Sequence, residues 1–169
     1  LAMHIGSGTK TVTTSPDAPT VVAANLIACN SVASMVDWLF SGVFDRFPGI
    51  QLLYAESQIG WIPYFVERAD DTWQTHQWAQ GEERSQRPPS DYYREHISAC
   101  FFKDTVGIDL LDRIGEDNVL FETDYPHQDG TFPRSKQVAE ELFGHLPQPT
   151  INKIARGNAI KLLGLDFEP

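Results

Sequence analysis

Apolar and polar positions along the chain alternate in blocks. Short apolar runs at Leu1–Ile5, Ile50–Ala55, His96–Phe102 and Val119–Thr123 have the length and turn-bounded character of buried strands. Longer stretches between them keep helical spacing. In the region 21–47, Val32, Met35, Val36, Leu39, Phe40, Val43, Phe44 and Phe47 follow i, i+3, i+4, i+7, with Asn30 or Ser31 as a cap and Pro48-Gly49 as the stop. A second helix is expected from about Trp61, with Pro63 in its first turn and Trp61, Tyr64, Phe65 and Trp73 packing. Asp91 to Glu95 suggests one helical turn. Further helices are expected from Lys103 to Ile114, closed by Gly115, from Phe132 to Leu146, opened by Pro133, and from Thr150 to Leu163, ended by Gly164. The segments 10–20 and 81–89 read as loops, the first long enough to serve as a lid.

Strand followed by helix, repeated through the chain, predicts a single α/β domain with parallel strands and right-handed crossovers. Such units form an open sheet, or half of a (β/α)8 barrel that usually takes ~250 residues. Leu1 is not Met and already lies in a strand-like run, so the 169 residues are expected to be part of a longer protein.

Composition then narrows the partners. A 41% hydrophobic and 21% charged chain is an ordinary globular one. A net charge of −10 excludes nucleic acid and an anionic membrane surface as expected partners. No apolar run is expected to approach the ~20 residues of a membrane helix. Cys29 and Cys100 stand apart and read as free thiols, which fits the cytoplasm. No glycine-rich phosphate-binding motif supports a nucleotide site.

Three polar residues close three strands: His4, Glu56 and Asp124. In strand parity His4 goes with Ala2, Glu56 with Leu52 and Tyr54, and Asp124 with Leu120 and Glu122. The carboxyl ends of parallel strands share one edge, so these groups are expected to converge. Imidazole and carboxylate are the ligands of zinc, manganese or magnesium. His127, in the loop after Asp124, is expected at the pocket mouth. Glu122 is expected in an ion pair, Asn158 as a backbone staple, and His96 and Cys100 as core residues on one strand face.

The segments WLFSGVFDRFPGIQLLYAESQIGWIPYFVERADD, NVLFETDYPH and INKIARGNAIKLLGL resemble the amidohydrolase-related superfamily. The closest branch is the group typified by aminocarboxymuconate semialdehyde decarboxylase. The resemblance runs from His4 to Leu165. It implies a metal-dependent TIM barrel acting on small carboxylates by hydrolysis or decarboxylation, with this chain as strands five to eight and a terminal helix. It assigns His4 and Asp124 to a divalent metal, zinc first, with manganese or magnesium as alternatives. Asp124 also becomes a catalytic residue, while His127 is expected as a substrate contact from its loop position alone, with a solvated loop histidine as the alternative. The family's sixth strand usually ends in a catalytic His, whereas this chain has Glu56 there, a candidate catalytic residue that helps Asp124 in proton transfer, with a metal ligand or a structural acid as the alternatives. The first-strand ligand pair of the family does not occur in this sequence, so the chain alone is expected to bind metal weakly and to lack activity. Association with an N-terminal half, or homo-oligomerisation, follows from the same reading. A reading from a different class is a non-catalytic α/β domain whose open half-barrel drives self-association.

Overall fold

The computed structural model describes residues 1–6, 12–79, 81 and 85–167. Four parallel strands lie side by side in sequence order: β1 (Ala2–His4), β2 (Leu52–Ala55), β3 (Ile97–Phe101) and β4 (Val119–Phe121). The register pairs Met3 with Tyr54, Tyr54 with Ala99, and Ala99 with Val119. Paired residues share a side of the sheet. Met3, Leu52, Tyr54, Ile97, Ala99, Phe101 and Val119 therefore point together into the core under the helices. Phe101, Phe121 and Phe143 meet edge-on within that core. The alternate residues Ala2, His4, Leu53, Ala55, Ser98, Cys100 and Leu120 face the other way.

That second face is unevenly covered. Ala2 and His4 are exposed, whereas Ser98, Cys100 and Leu120 are buried. The first run is thus not a buried strand: Leu1 is 69% exposed and only Met3 packs against the core. An outermost strand has a neighbour on one flank only.

The region 21–47 is three helices, not one: α1 (Thr20–Leu26), α2 (Cys29–Phe40) and α3 (Val43–Arg46). Gly42, left-handed at φ 66°, breaks the last two apart. Neither Asn30 nor Ser31 caps α2, which starts from Ala28 without a side-chain cap; Ser31 is buried within the helix. Taken end to end, Thr20–Phe40 is 21 residues long and apolar enough by length and composition to cross a bilayer, where none was expected. The α2 part of it buries Met35 and Leu39 completely against the core.

Helix α4 (Ile62–Thr75) begins where Pro63 predicts, but Tyr64 on it is exposed. Helix α5 (Pro89–His96) is two turns rather than one. It takes His96 out of the strand, so His96 and Cys100 do not share a strand face. His96 is nonetheless core, stacked on Phe44 at 4.4 Å with Nδ1 on the Ile50 carbonyl at 2.9 Å. The helix expected to reach Ile114 is split into α6 (Thr105–Asp109) and α7 (Leu111–Ile114), and Gly115 closes it at φ 97°. Asp104 caps α6 and also accepts the N–H groups of Ile59 and Gly60, tying the loop after β2 to the loop after β3.

Helix α8 (Ser135–Phe143) starts later than Pro133 suggested, because Thr131–Arg134 forms a turn. The last helix is α9 (Gln148–Asn152) and α10 (Asn158–Leu163), joined by one wide π turn over Lys153–Gly157. Asn158 is the expected staple: its Nδ2 donates to the Glu116 carbonyl at 2.7 Å and to the Val119 carbonyl at 2.8 Å. Of the two expected loops, Lys10 and Thr11 in the first, and Glu82, Glu83 and Arg84 in the second, lie outside the described residues. Both cysteines are free thiols, Cys29 exposed and Cys100 buried.

Candidate functional site

The site forms where backbone conformation departs from what the strands dictate. Leu52 and Tyr54 point into the core, so an extended Glu56 would follow them away from His4. Glu56 instead adopts φ 58°, in the left-handed region. The turn throws its side chain to the opposite side of the sheet, and Oε1 reaches 2.6 Å from His4 Nε2. The other ring nitrogen, Nδ1, lies 2.6 Å from the Ile5 carbonyl. That bond, and after it the charges of Glu56 and Glu122, raise the proton affinity of His4 against the opposing effect of burial. His4 is thus held at both ring nitrogens, with its protonated form favoured.

Asp124 is also left-handed, at φ 52°, and only 9% of its side chain is exposed. Its Oδ2 lies 2.8 Å from His127 Nδ1. The hydrogen bond and the carboxylate charge raise the pKa of His127 above the ordinary imidazole value. A tight turn sets this pair: the His127 N–H donates to the Asp124 carbonyl, and the Thr131 N–H returns to the Thr123 carbonyl. Gly130 is required in that loop, since a Cβ there would lie 2.6 Å from the carbonyl oxygens of both Thr123 and Asp124. Lys103 Nζ donates to the Asp129 carbonyl at 2.8 Å and ties the loop to the end of β3.

Glu122 lies beneath these groups. Burial, with the charges of Glu56 and Asp124, pushes its carboxyl up to about 7, although the Glu56 N–H partly offsets the rise. The ion pair expected of Glu122 is with an arginine outside these 169 residues; among the described residues Glu122 forms no ion pair with a Lys, Arg or His. It accepts the Glu56 N–H on Oε1 at 2.7 Å. Burial also pushes the neighbouring Cys100 thiol far above its ordinary value.

The four side chains singled out from sequence, His4, Glu56, Asp124 and His127, line one cavity of about 430 Å³. Ligand atoms of Glu56, Asp124 and His127 lie within 4.8 Å of one another. Two carboxylates and an imidazole are a fitting donor set for a divalent cation such as manganese, magnesium or zinc. Of the expected His4–Asp124 pair only Asp124 belongs to this donor set; His4 lies outside it, with Nε2 on Glu56 and Nδ1 on the Ile5 carbonyl.

Sequence reasoning missed Gln58, which also lines the cavity and is also left-handed, at φ 56°. Glu56, Gln58 and Asp124 are the non-glycine residues with positive φ among those described, and all three line this cavity. Backbone of this kind is disfavoured for L-residues and gathers at functional sites. No local sequence signal marks Gln58. The cover of the cavity was missed too: it comes from Ala24, Asn25, Ile27 and Ala28, at the end of α1 and the turn after it. Those residues follow the loop expected to act as a lid.

Comparison with known proteins gives consistent results. The family model described as amidohydrolase matches residues 1–165. An amidohydrolase from Mycobacterium avium subsp. paratuberculosis is similar at 25% identity and TM-score 0.67, over 86% of this chain and 35% of that one. A 5-carboxyvanillate decarboxylase from Novosphingobium aromaticivorans, solved with manganese and 4-hydroxy-3-methoxy-5-nitrobenzoic acid, is similar at 19% identity and TM-score 0.68, over 87% of this chain and 44% of that one. A dihydroxybenzoic acid decarboxylase from Polaromonas, with bound manganese and 2-nitroresorcinol, is similar at 23% identity and TM-score 0.62, over 89% of this chain and 43% of that one. The chain thus spans less than half the length of each of these proteins, and its sheet corresponds to part of a TIM-type barrel.

Proposed function

The chain belongs to the amidohydrolase family, and on that premise we propose that it supplies the carboxyl half of a metal-dependent decarboxylase or hydrolase acting on small carboxylates. The observation that carries this reading is the convergence of Glu56, Asp124 and His127, with ligand atoms within 4.8 Å of one another, at the carboxyl edge of a parallel sheet. The manganese in two of the solved relatives favours manganese over the zinc expected from sequence.

Glu56 and Asp124 would hold the cation as anionic oxygen donors, with His127 as the third ligand. When bound, a divalent cation polarises a substrate carboxylate or carbonyl. His4 Nε2 and Glu56 Oε1 lie 2.6 Å apart, so a proton on His4 can pass through this pair to or from the reacting atom. Ile27 and Ala28, in the turn between α1 and α2, line one side of the cavity. His127 in the substrate-binding role expected from sequence is the alternative assignment. His127→Ala separates the two, since loss of a ligand lowers manganese affinity and loss of a substrate contact raises KM alone.

The direct assay incubates this chain joined to the N-terminal half that the reading requires with a panel of hydroxylated aromatic carboxylates, with and without manganese, and follows carbon dioxide release and substrate loss. Metal-dependent turnover of one member supports the reading; no turnover with any metal–substrate pair rejects it. We further propose that the 169-residue chain alone binds metal weakly and is inactive. One-to-one nanomolar binding of zinc or manganese by calorimetry contradicts that.

The second reading, association through the half-barrel, is favoured by β1 and β4 as the outer strands and by the exposed Ala2 and His4. Its partner would be the N-terminal half or a second copy. A stable metal-free dimer in light scattering supports it. The two free thiols suit a reducing compartment, the cytoplasm.

A further inference from the structure

Glu122 follows β4 by one residue, and its own N–H still bonds the Phe101 carbonyl at 2.9 Å. Its side chain falls on the Leu120 side of the sheet, under the cavity. From there Oε1 reaches across β3 to the Glu56 N–H at 2.7 Å, a contact spanning 66 residues of sequence. The buried Cys100 thiol, on the intervening strand, neighbours the same carboxylate.

This contact falls where β2 needs it. The Ala55 carbonyl is taken by the Ile5 N–H, and the ladder between β1 and β2 stops there. Glu56 then turns left-handed, at φ 58°, against the preference of an L-residue. Relaxed to extended backbone, Glu56 would resume the alternation of Leu52 and Tyr54, both buried under the helices, and its carboxylate would leave His4. An acceptor fixed on another strand makes the left-handed turn the favoured state, because a half-buried N–H without a partner is costly.

We propose that Glu122 is a positioning residue: its carboxylate holds the Glu56 backbone in the conformation that aims Glu56 at His4 and Asp124. What Glu56 does once aimed rests on the metal-site reading above; the positioning itself does not.

The test compares wild type, Glu122→Gln and Glu122→Ala in two measurements on the protein. The first is the amide resonance of Glu56 by NMR, and the second is manganese affinity by electron paramagnetic resonance. Glutamine keeps an oxygen acceptor, so the Glu56 amide stays downfield and manganese affinity is retained. Alanine removes the acceptor, so the amide moves upfield and affinity falls about tenfold to hundredfold, the range for groups that orient metal ligands. An unchanged Glu56 amide in Glu122→Ala overturns the proposal, as does a glutamine variant as impaired as the alanine one. If wild type binds no manganese, the metal reading fails while the amide shift still decides the positioning claim. If Glu122→Ala unfolds, the double variant Glu56→Gly/Glu122→Ala is expected to refold, because glycine takes the turn unaided; its failure to fold overturns the proposal.

Discussion

The two ends of the same four strands are built on opposite terms. At the amino ends, polar groups are used up in ordinary bonds. Asn118 Nδ2 donates to the carbonyls of Arg94 and Ile97, Asn158 Nδ2 to those of Glu116 and Val119, and Lys153 pairs with Glu116 and Asp117. At the carboxyl ends, Glu56, Glu122 and Asp124 crowd like charges together on left-handed backbone at Glu56, Gln58 and Asp124. Barrel enzymes of this architecture keep chemistry at the carboxyl face and stability at the other. The difference teaches that like charges crowded on left-handed backbone, not mere polarity, separate a site from a structural polar cluster.

Changes at each end should therefore move different quantities. The largest effect is expected at the amino end. Asn158→Ala strips the donor from two carbonyls, and with a net loss of about 1–3 kcal/mol for each unsatisfied group, urea denaturation should show about 2–6 kcal/mol less stability. Manganese affinity should stay as in wild type. A variant that loses metal affinity in proportion to stability would erase the distinction between the ends.

The converse change sits at the carboxyl end. Gln58→Gly relieves left-handed backbone and gives up a long 3.4 Å bond to the Phe102 N–H. A gain of about 1 kcal/mol is expected in thermal or urea unfolding, near the low end of the left-handed penalty. A loss of similar size would mean that the backbone there is not strained.

The smallest expected effects are in pH dependence, and they have opposite signs. Lys153 and Thr150 hold the Glu116 carboxyl below its ordinary value. Its contribution is therefore present above the ordinary carboxylate range and is lost as pH falls through the lowered pKa. Glu122 is raised to about 7 in the metal-free protein, so the folded state keeps a proton that the unfolded chain has released. Stability contributed there is lost as pH climbs from about 4.5 to about 7. Glu116→Gln should flatten the acid side of the stability profile, and Glu122→Gln the side approaching neutrality. Profiles that change on the wrong side would break the contrast.

These opposing designs were not equally legible in the sequence. Strand–helix alternation gave the parallel order, and Pro63, Gly115 and Asn158 were placed by their own chemistry. These are local signals, or a polar residue on an apolar helix face. His4, Glu56, Asp124 and His127 were recognisable as candidates because they end or follow strands. The reason that Glu56 meets His4 was not legible, since parity alone sends it with Tyr54. The left-handed turn depends on Glu122, 66 residues away, and long-range contacts leave no local pattern. The same limit hid the breaks at Ile27-Ala28 and Gly42 within an unbroken apolar period, and the length of α5, where tertiary packing of His96 on Phe44 outweighs strand propensity.

The most direct measurement is a manganese titration by electron paramagnetic resonance of the protein and of its Asp124→Asn variant, with thermal unfolding of both. The account predicts one bound ion per chain in wild type. In the variant, affinity should fall at least about tenfold, about 1.4 kcal/mol, while the unfolding temperature is kept or raised as one crowded charge is removed. Equal manganese affinity in the two proteins, or loss of binding that only tracks loss of fold, would contradict it.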